Sequence, residues 1–465
     1  MGKSVAAGIA LFFSTFYILS LNPEILSKAG VPYGLALLGT LLVIVFGNLC
    51  SGSFSKTGLI IAPAVGISVF IADFVQATEI LNWREAYIAV GIAGIALMIT
   101  SLKTNWRDTI VSHGLPVSVK SASVAAIGAL LTSKAFSFLS SVSQNVSKDG
   151  ANGLIQFIIL YGYIVAGVAI IIGFSIGRTR RKTESNNPIG TILLHMEYVI
   201  VVMVGVVLAG IFFPVEAVNK IETLELITVF KIPSSFDVNR LSATFPGFIL
   251  AIIVYFVIIT DIPGTPSFVI PDGSDGKGLP DNMSLQDRES AIRKGYINDS
   301  FFAALSPVAG TSPTIYYAEN LILKEFGTFK ATSAYIVAIL FGIVGLLIWV
   351  LGVKYNQTWV HPEVLIPPMV TGTILLAIGL MITAQSFLIS YPKLKTTHNF
   401  TYLPAAIAVM FTPLIGLEFA FPLSILSTLL TGEQVDSEAT FTWIRIGAGM
   451  VIIFLFLIRF MNFAA

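Results

Sequence analysis

The sequence predicts an all-α polytopic membrane protein of about 14 transmembrane spans, arranged as two inverted repeats of about seven and interrupted by short broken segments in spans three and ten. Three observations carry this prediction. The 465 residues are 55% hydrophobic and only 11% charged, with a mean hydropathy of +0.85, whereas soluble domains carry about 25% charged residues. Apolar runs such as Ile200–Phe213, Ile249–Thr260, Ala334–Val350, Ile374–Leu388 and Met450–Ile458 lie in windows near the roughly 20 residues that cross a bilayer as a helix. Two proline-broken segments, around Pro63 and Pro313, lie 250 residues apart. Continuous apolar runs exclude a membrane β-barrel, whose strands alternate apolar and polar residues.

In chain order, the apolar windows place spans near 5–21, 34–50, 58–76, 84–102, 115–132, 154–177, 190–214, 244–262, 297–310, 312–325, 331–353, 364–390, 401–417 and 418–430. Residues 401–430 read either as one broken span or as two short ones, and a last apolar stretch covers 440–461. The start, MGKSVAAGIALFFSTFYILSL, has the make-up of a signal peptide. No A-x-A site follows it and further spans do, so it reads as the first transmembrane helix. The longest polar stretches, Glu216–Arg240 and Asp272–Lys294, are too short for a soluble domain.

Cation placement orients the stack. With the N-terminus in the cytoplasm, the inner segments hold Lys3, Lys56, Lys103, Arg107, the run RTRRK (178–182), Arg293, Lys294, Lys324 and Lys330 among others, roughly twice the number on the outer side. The setting expected is a plasma (inner) membrane. A net charge of +1 gives no basis for binding nucleic acid. Cys50 is the only cysteine, which excludes an internal disulfide and a thiolate metal cluster. His113, His195, His361 and His398 are scattered without metal-ligand spacing. Nothing resembles a P-loop, HExxH, G-x-S-x-G or a catalytic triad, so no enzyme, no metal and no resident cofactor are expected.

The repeat is read from two landmarks. IIAPAVGISVF (60–70) and GTSPTIYYAEN (310–320) share a proline just after a small residue and then a helix, and Leu115-Pro116 and Ile366-Pro367 open later spans 251 residues apart. Backbone in hydrocarbon must satisfy its own hydrogen bonds. GTSPT cannot do so as a regular helix, because Pro313 lacks an N–H and Thr and Ser compete for the backbone. Such a segment survives where protein covers it or water reaches it. The helix after it points free N–H groups at that place. A binding surface at mid-membrane is the expectation, with Gly66, Ser68 and Phe70 supplied by the first segment and Tyr317, Ala318 and Glu319 by the second.

Glu319 is expected two turns or less inside its helix. An ionisable residue at such depth is costly and is a functional hypothesis by default; the alternative is a structural carboxylate bonded to a neighbouring helix. Asp261 is the second intramembrane acid, in VIITDIPGTPSFVI (257–270), with Pro263 and Pro266 breaking the span and Thr260 and Thr265 beside it. Its alternative role is a helix cap at the interface. Both acids suit coupling to H⁺ or Na⁺, by a change of protonation or of salt partner as substrate arrives. Lys120 is read as snorkelling to the inner interface, and His195 and Glu197, two residues apart, share no helical face. Tyr316, Tyr317 and Phe70 either stack on a planar ligand or pack.

With these residues in view, the chain resembles the nucleobase–cation symporter-2 superfamily and, within it, the AzgA-like purine permeases, over nearly its whole length. FFSTFYILSLNPEILSKAGVP (12–32) resembles the first span of that family, with Asn22-Pro23 as its Asn-Pro pair. LIIAPAVGISVF is similar to its span-three segment, with Ser68 where the family has Asn, and LPVSVK to the opening of its span five. VIITDIPGT is similar to the span-eight motif, with Asp261, Gly264 and Thr265 at matching positions. GTSPTIYYAEN resembles the span-ten motif, which puts Glu319 on the family's substrate glutamate. The uracil branch has Glu where Asp261 stands and His where Thr265 stands, so the chain sides with the purine branch. The resemblance implies a core (1–110 and 241–355) moving against a gate (111–240 and 356–465), a nucleobase held between the two breaks by Asp261, Glu319 and backbone amides, and a dimer through the gate side.

Overall fold

The computed structural model describes residues 2–78, 81–102, 117–144, 146, 150–180, 197–213, 241–260, 265–271, 281, 283–354, 366–394, 403–415 and 417–430, with 445, 448–449 and 452 near the end of the chain. Among the described residues, six helical stretches are long and apolar enough to cross a membrane, and five shorter apolar helices accompany them. The fold is mostly helical.

The first span is two helices, α1 (Gly2–Thr15) and α2 (Ile18–Lys28). Its bend has local causes. The hydroxyls of Ser14 and Thr15 donate back to Leu11 O, and Pro23 sits inside α2 without an N–H to donate. α3 (Tyr33–Cys50) runs on into a π-turn, Ser51–Ser55, and Lys56 ends it in a left-handed conformation. Then the chain stops being helical. Strand β1 (Ile61–Pro63) leads into α4 (Val65–Thr78), followed by α5 (Trp83–Leu102), α6 (Val117–Gln144), α7 (Gly150–Arg180) and α8 (Glu197–Phe212).

The second part begins with α9 (Leu241–Thr260) and the short α10 (Pro266–Val269). α11 (Leu285–Leu305) starts twelve residues before the span expected at 297. The cause is a capping box: Ser284 Oγ accepts from Asp287 N, and the Asp287 carboxylate accepts from Ser284 N. Hydropathy misses this helix start because the first half of α11 is polar. Strand β2 (Thr314–Tyr316) and a 3₁₀ turn (Ala318–Asn320) precede the six-residue α12 (Leu321–Phe326). α13 (Thr332–Leu347) and α14 (Pro368–Leu394) follow. α15 (Leu403–Ile415) and α16 (Leu417–Ser427) follow as two helices within 401–430.

β1 and β2 form a two-stranded antiparallel sheet, with Ile61 opposite Tyr316, Ala62 opposite Ile315 and Pro63 opposite Thr314. Three-residue strands suit this place. They satisfy each other's backbone where two helices have been interrupted inside an apolar protein. Elsewhere α6 and α14 cross antiparallel. A Cβ on Gly128 would stand 2.6 Å from Thr383 N, and one on Gly379 would stand 2.7 Å from Thr132 N. Only hydrogen fits at these two points. Thr132 and Thr383 each turn the hydroxyl back to the carbonyl four residues earlier, Gly128 O and Gly379 O, both at 2.8 Å. Membrane helices approach this closely through small residues because lipid supplies no hydrophobic drive between them.

Candidate functional site

The two interrupted segments meet, and their meeting point is built from buried amides and hydroxyls. Asn48, on α3, grips Ile61 from one side: Ile61 N donates to its Oδ1 at 2.9 Å and its Nδ2 donates to Ile61 O at 3.1 Å. Asn320 grips Ile60 in the same way, accepting from Ile60 N at 2.8 Å and donating to Ile60 O at 2.9 Å. Each Asn acts as a strand partner for one residue. This answers where the backbone hydrogen bonds of an interrupted segment go. Ala64 N donates to Pro313 O at 2.9 Å, and the Tyr317 hydroxyl donates to Pro63 O. Those two bonds tie the end of each strand to the other segment's proline.

A second polar cluster lies alongside. Asn22 Nδ2 donates to the hydroxyls of Thr40 and Thr311, each at 2.8 Å, and Asn22 Oδ1 accepts from Ser68 and Ser312. Ser68 and Ser312 lie 2.7 Å apart through their hydroxyls. All five side chains are fully buried. One Asn on α2 thereby joins α3, α4 and the loop before β2. Gly310 enters that loop at φ +85°, with Leu35 against its open side, and only glycine adopts this conformation without strain.

The expected site residues divide between these surroundings. Ser68 is committed to the Asn22 cluster. Gly66 opens α4, where a Cβ would stand 2.7 Å from Ile127 Cγ2 on α6. Phe70 is buried edge-on to Phe74, and Tyr317 is buried with its hydroxyl on Pro63 O. In this conformation these four are buried in protein contacts. Ala318 and Glu319 belong to the 3₁₀ turn just past β2, and Glu319 is half-buried. Glu319 thus stands at the break itself, not a turn or more along a helix, because α12 begins only at Leu321. Thr265 is buried at the start of α10, which packs against α11 and α12. Asp261 and Gly264 lie outside the described residues, as does His195.

Sequence reading passed over three residues. Asn48 and Asn320 were hidden because an Asn in an apolar run carries no sign of the backbone it will hold. Asp299 is fully buried on α11, and Thr314 Oγ1 donates to its backbone carbonyl at 3.0 Å, which joins α11 to β2. Its signal, an acid within INDSFFAAL (297–305), was available. Burying an ionised carboxylate is expensive, so Asp299 is a further acid in the part of the fold that holds Glu319. Among the described residues no group of three or more His, Cys, Asp and Glu is placed to hold a metal ion.

No protein-family model matches the chain. It is 24% identical over 379 residues to a permease of Methanocaldococcus jannaschii, covering 80% of this chain and 77% of that protein. It is 23% identical over 464 residues to the guanine/hypoxanthine permease GhxP of Escherichia coli O157:H7, covering 98% of this chain and 93% of that one. Among solved structures, the transmembrane domain of the cyanobacterial bicarbonate transporter BicA superposes with a TM-score of 0.54 at 16% identity, over 91% of this chain and 96% of that domain. The chain shares that fold and is a multi-pass membrane protein. Its relatives are named permeases and transporters, not enzymes, in agreement with the resemblance read from its motifs.

Proposed function

We propose, on the premise that this chain is a relative of nucleobase permeases with the fold of a membrane transporter, that it is a secondary active transporter of a purine nucleobase such as adenine, guanine, hypoxanthine or xanthine. Uptake is coupled to H⁺ or Na⁺ and proceeds by alternating access, with no resident cofactor. One observation carries the reading: the antiparallel meeting of β1 and β2, with a half-buried carboxylate, Glu319, in the turn directly after it. A planar base with ring N–H donors suits a carboxylate beside polar backbone, because a charged acceptor makes the stronger hydrogen bonds. Glu319 is the substrate acceptor in this proposal, Asp261 and Thr265 of the span-eight motif are further substrate contacts, and the Ala318 backbone lines the turn. Gly66, Ser68, Phe70 and Tyr317 pack around the strands and support them in this proposal. Asp261 and Glu319 are the proposed coupling acids.

The remaining architecture belongs to the same proposal. Two inverted halves of seven spans are supported by prolines 63 and 313 at the strand ends and by the reciprocal pairs Gly128–Thr383 and Thr132–Gly379, in which the two glycines, like the two threonines, are 251 residues apart. The core comprises 1–110 and 241–355 and the gate 111–240 and 356–465. The protein is proposed to sit in the plasma (inner) membrane, N-terminus inward, and to pair with a second copy through the gate. A same-fold carrier of a small anion such as bicarbonate or sulfate is the competing reading. An acid at the break opposes it, since like charges repel. Uptake of labelled adenine, guanine, hypoxanthine and xanthine by cells lacking their own permeases tests the proposal. Accumulation of one or more is expected, and no uptake by protein verified in the membrane overturns it.

A further inference from the structure

α4 and α6 run parallel in one register. Gly66 faces Ile127, and seven residues further along each helix Asp73 faces Lys134, with the carboxylate and ammonium 2.5 Å apart. The same end of the bundle holds the C-terminal turn of α2. There Gln76 donates to Lys28 O at 2.7 Å, and the Lys28 ammonium lies 3.7 Å from the centre of the Phe138 ring on α6. α2 and α4 therefore meet α6 through a charge pair and a cation–π contact.

The kind of bond differs from those inside the core half. The Asn22 cluster, made wholly from 1–110 and 241–355, is neutral and fully buried. Separating it would strand hydroxyls and an amide away from water, at a high cost for each group. Asp73 and Lys134 keep 28% and 33% of their side-chain surface exposed. Both ions are readily re-solvated when they part, so such a pair holds weakly and releases easily. Ser20 on α2 adds one neutral bond to the segment before α14, at 3.2 Å to Ile366 O. A polar cluster that never opens belongs in the dry interior. A contact that must open and close on every cycle belongs where water can take over.

We propose that the Asp73–Lys134 ion pair, reinforced by Lys28 over Phe138, is a latch that holds the α4–α6 seam closed in this conformation and opens in the alternate one. The inference rests on the reading that the core and gate halves move against each other. Its test reads distance rather than transport. Spin labels at Ser27→Cys on α2 and Ser140→Cys on α6, in a Cys50→Ser background, report the seam by double electron–electron resonance on purified protein. Asp73→Asn and Lys134→Gln should each raise the ratio of the longer to the shorter distance by roughly two- to five-fold, the range of a half-exposed ion pair. The reversed pair Asp73→Lys with Lys134→Asp should restore the original distribution. Size-exclusion profiles matching the parent establish that each variant is folded, and the reversed pair keeps the test valid where a single variant is not. An unchanged distribution in a folded single variant, or a reversed pair that behaves like the singles, overturns the latch. The purine reading fails separately: it falls if no purine is taken up, whatever the distances show.

Discussion

The first interrupted segment and the second have the same plan and different contents. In the first, β1 runs into the 14-residue helix α4 through Val65, Gly66 and Ile67, and every side chain from Leu59 to Phe70 is buried. In the second, β2 is followed by a three-residue 3₁₀ turn and the six-residue α12, and the turn carries Glu319 and Asn320. The first offers a long helix with a sealed, apolar start. The second offers acid and amide on a short helix with little dipole of its own. The comparison teaches that matching backbone breaks carry different chemistry: the first leads into a long helix with a buried start, and the second carries a half-buried carboxylate, which the proposed function makes the ligand's acceptor.

Five substitutions break or sharpen that division. The largest effect is expected from Glu319→Gln, which keeps size and removes charge. Losing a charge-assisted hydrogen bond costs about 1.5–3 kcal/mol, so the apparent affinity for the preferred base should fall by about one to two orders of magnitude. The protein should remain monodisperse in detergent. Next is Asn320→Ala. It leaves Ile60 N and O without the partners they have now. A cost of about 2–3 kcal/mol is expected, read as a clear fall in the thermal-unfolding midpoint, with binding lost in consequence. Asn48→Ala, in the same role toward Ile61, should fall by a similar amount. A large asymmetry between these two would show that the segments are not held alike.

Ser68→Ala should do less. It deletes one hydroxyl from a five-member cluster, at a cost of about 1–2 kcal/mol in stability, with affinity for the base changed by less than about threefold. Smallest is Asp287→Asn, at the exposed start of α11. Hydrogen bonds from the Ser284 side chain and backbone hold the Asp287 carboxyl below its usual range. Its stabilisation is therefore present above the unfolded-state value, near pH 4 on the usual scale (about 3.9), and is lost as pH falls through the lower folded value. Asp287→Asn should lower the thermal-unfolding midpoint slightly at neutral pH, where that stabilisation is present, and flatten the acid side of the stability–pH profile, so that variant and parent converge at low pH.

Much of this division was legible in the residues. A proline after a small residue, in an apolar setting and repeated 250 residues later, marked where the helices stop. That the two stops pair with each other follows from the need to satisfy backbone inside hydrocarbon. The register, Pro63 opposite Thr314, was not legible, because no local pattern fixes which of three residues faces which. Nor was the direction of Ser68, since a serine on a helix after a break points to ligand or to neighbour with equal ease. Asn22 on a distant span decides it. The polar start of α11 was lost to a hydropathy window although its capping box was written in Ser284 and Asp287. Glu319 is legible in the sequence as an acid beside a break, but its place in the 3₁₀ turn rather than in the helix is not, because only tertiary packing dictates that turn.

The central claim is that the second break binds the base and the first one supports it. Equilibrium binding of radiolabelled hypoxanthine and guanine to purified protein, compared across the parent, Ser68→Ala and Glu319→Gln, tests it most directly. The account predicts saturable binding by the parent and by Ser68→Ala, and an affinity lower by about one to two orders of magnitude for Glu319→Gln. Undiminished binding by folded Glu319→Gln would contradict it.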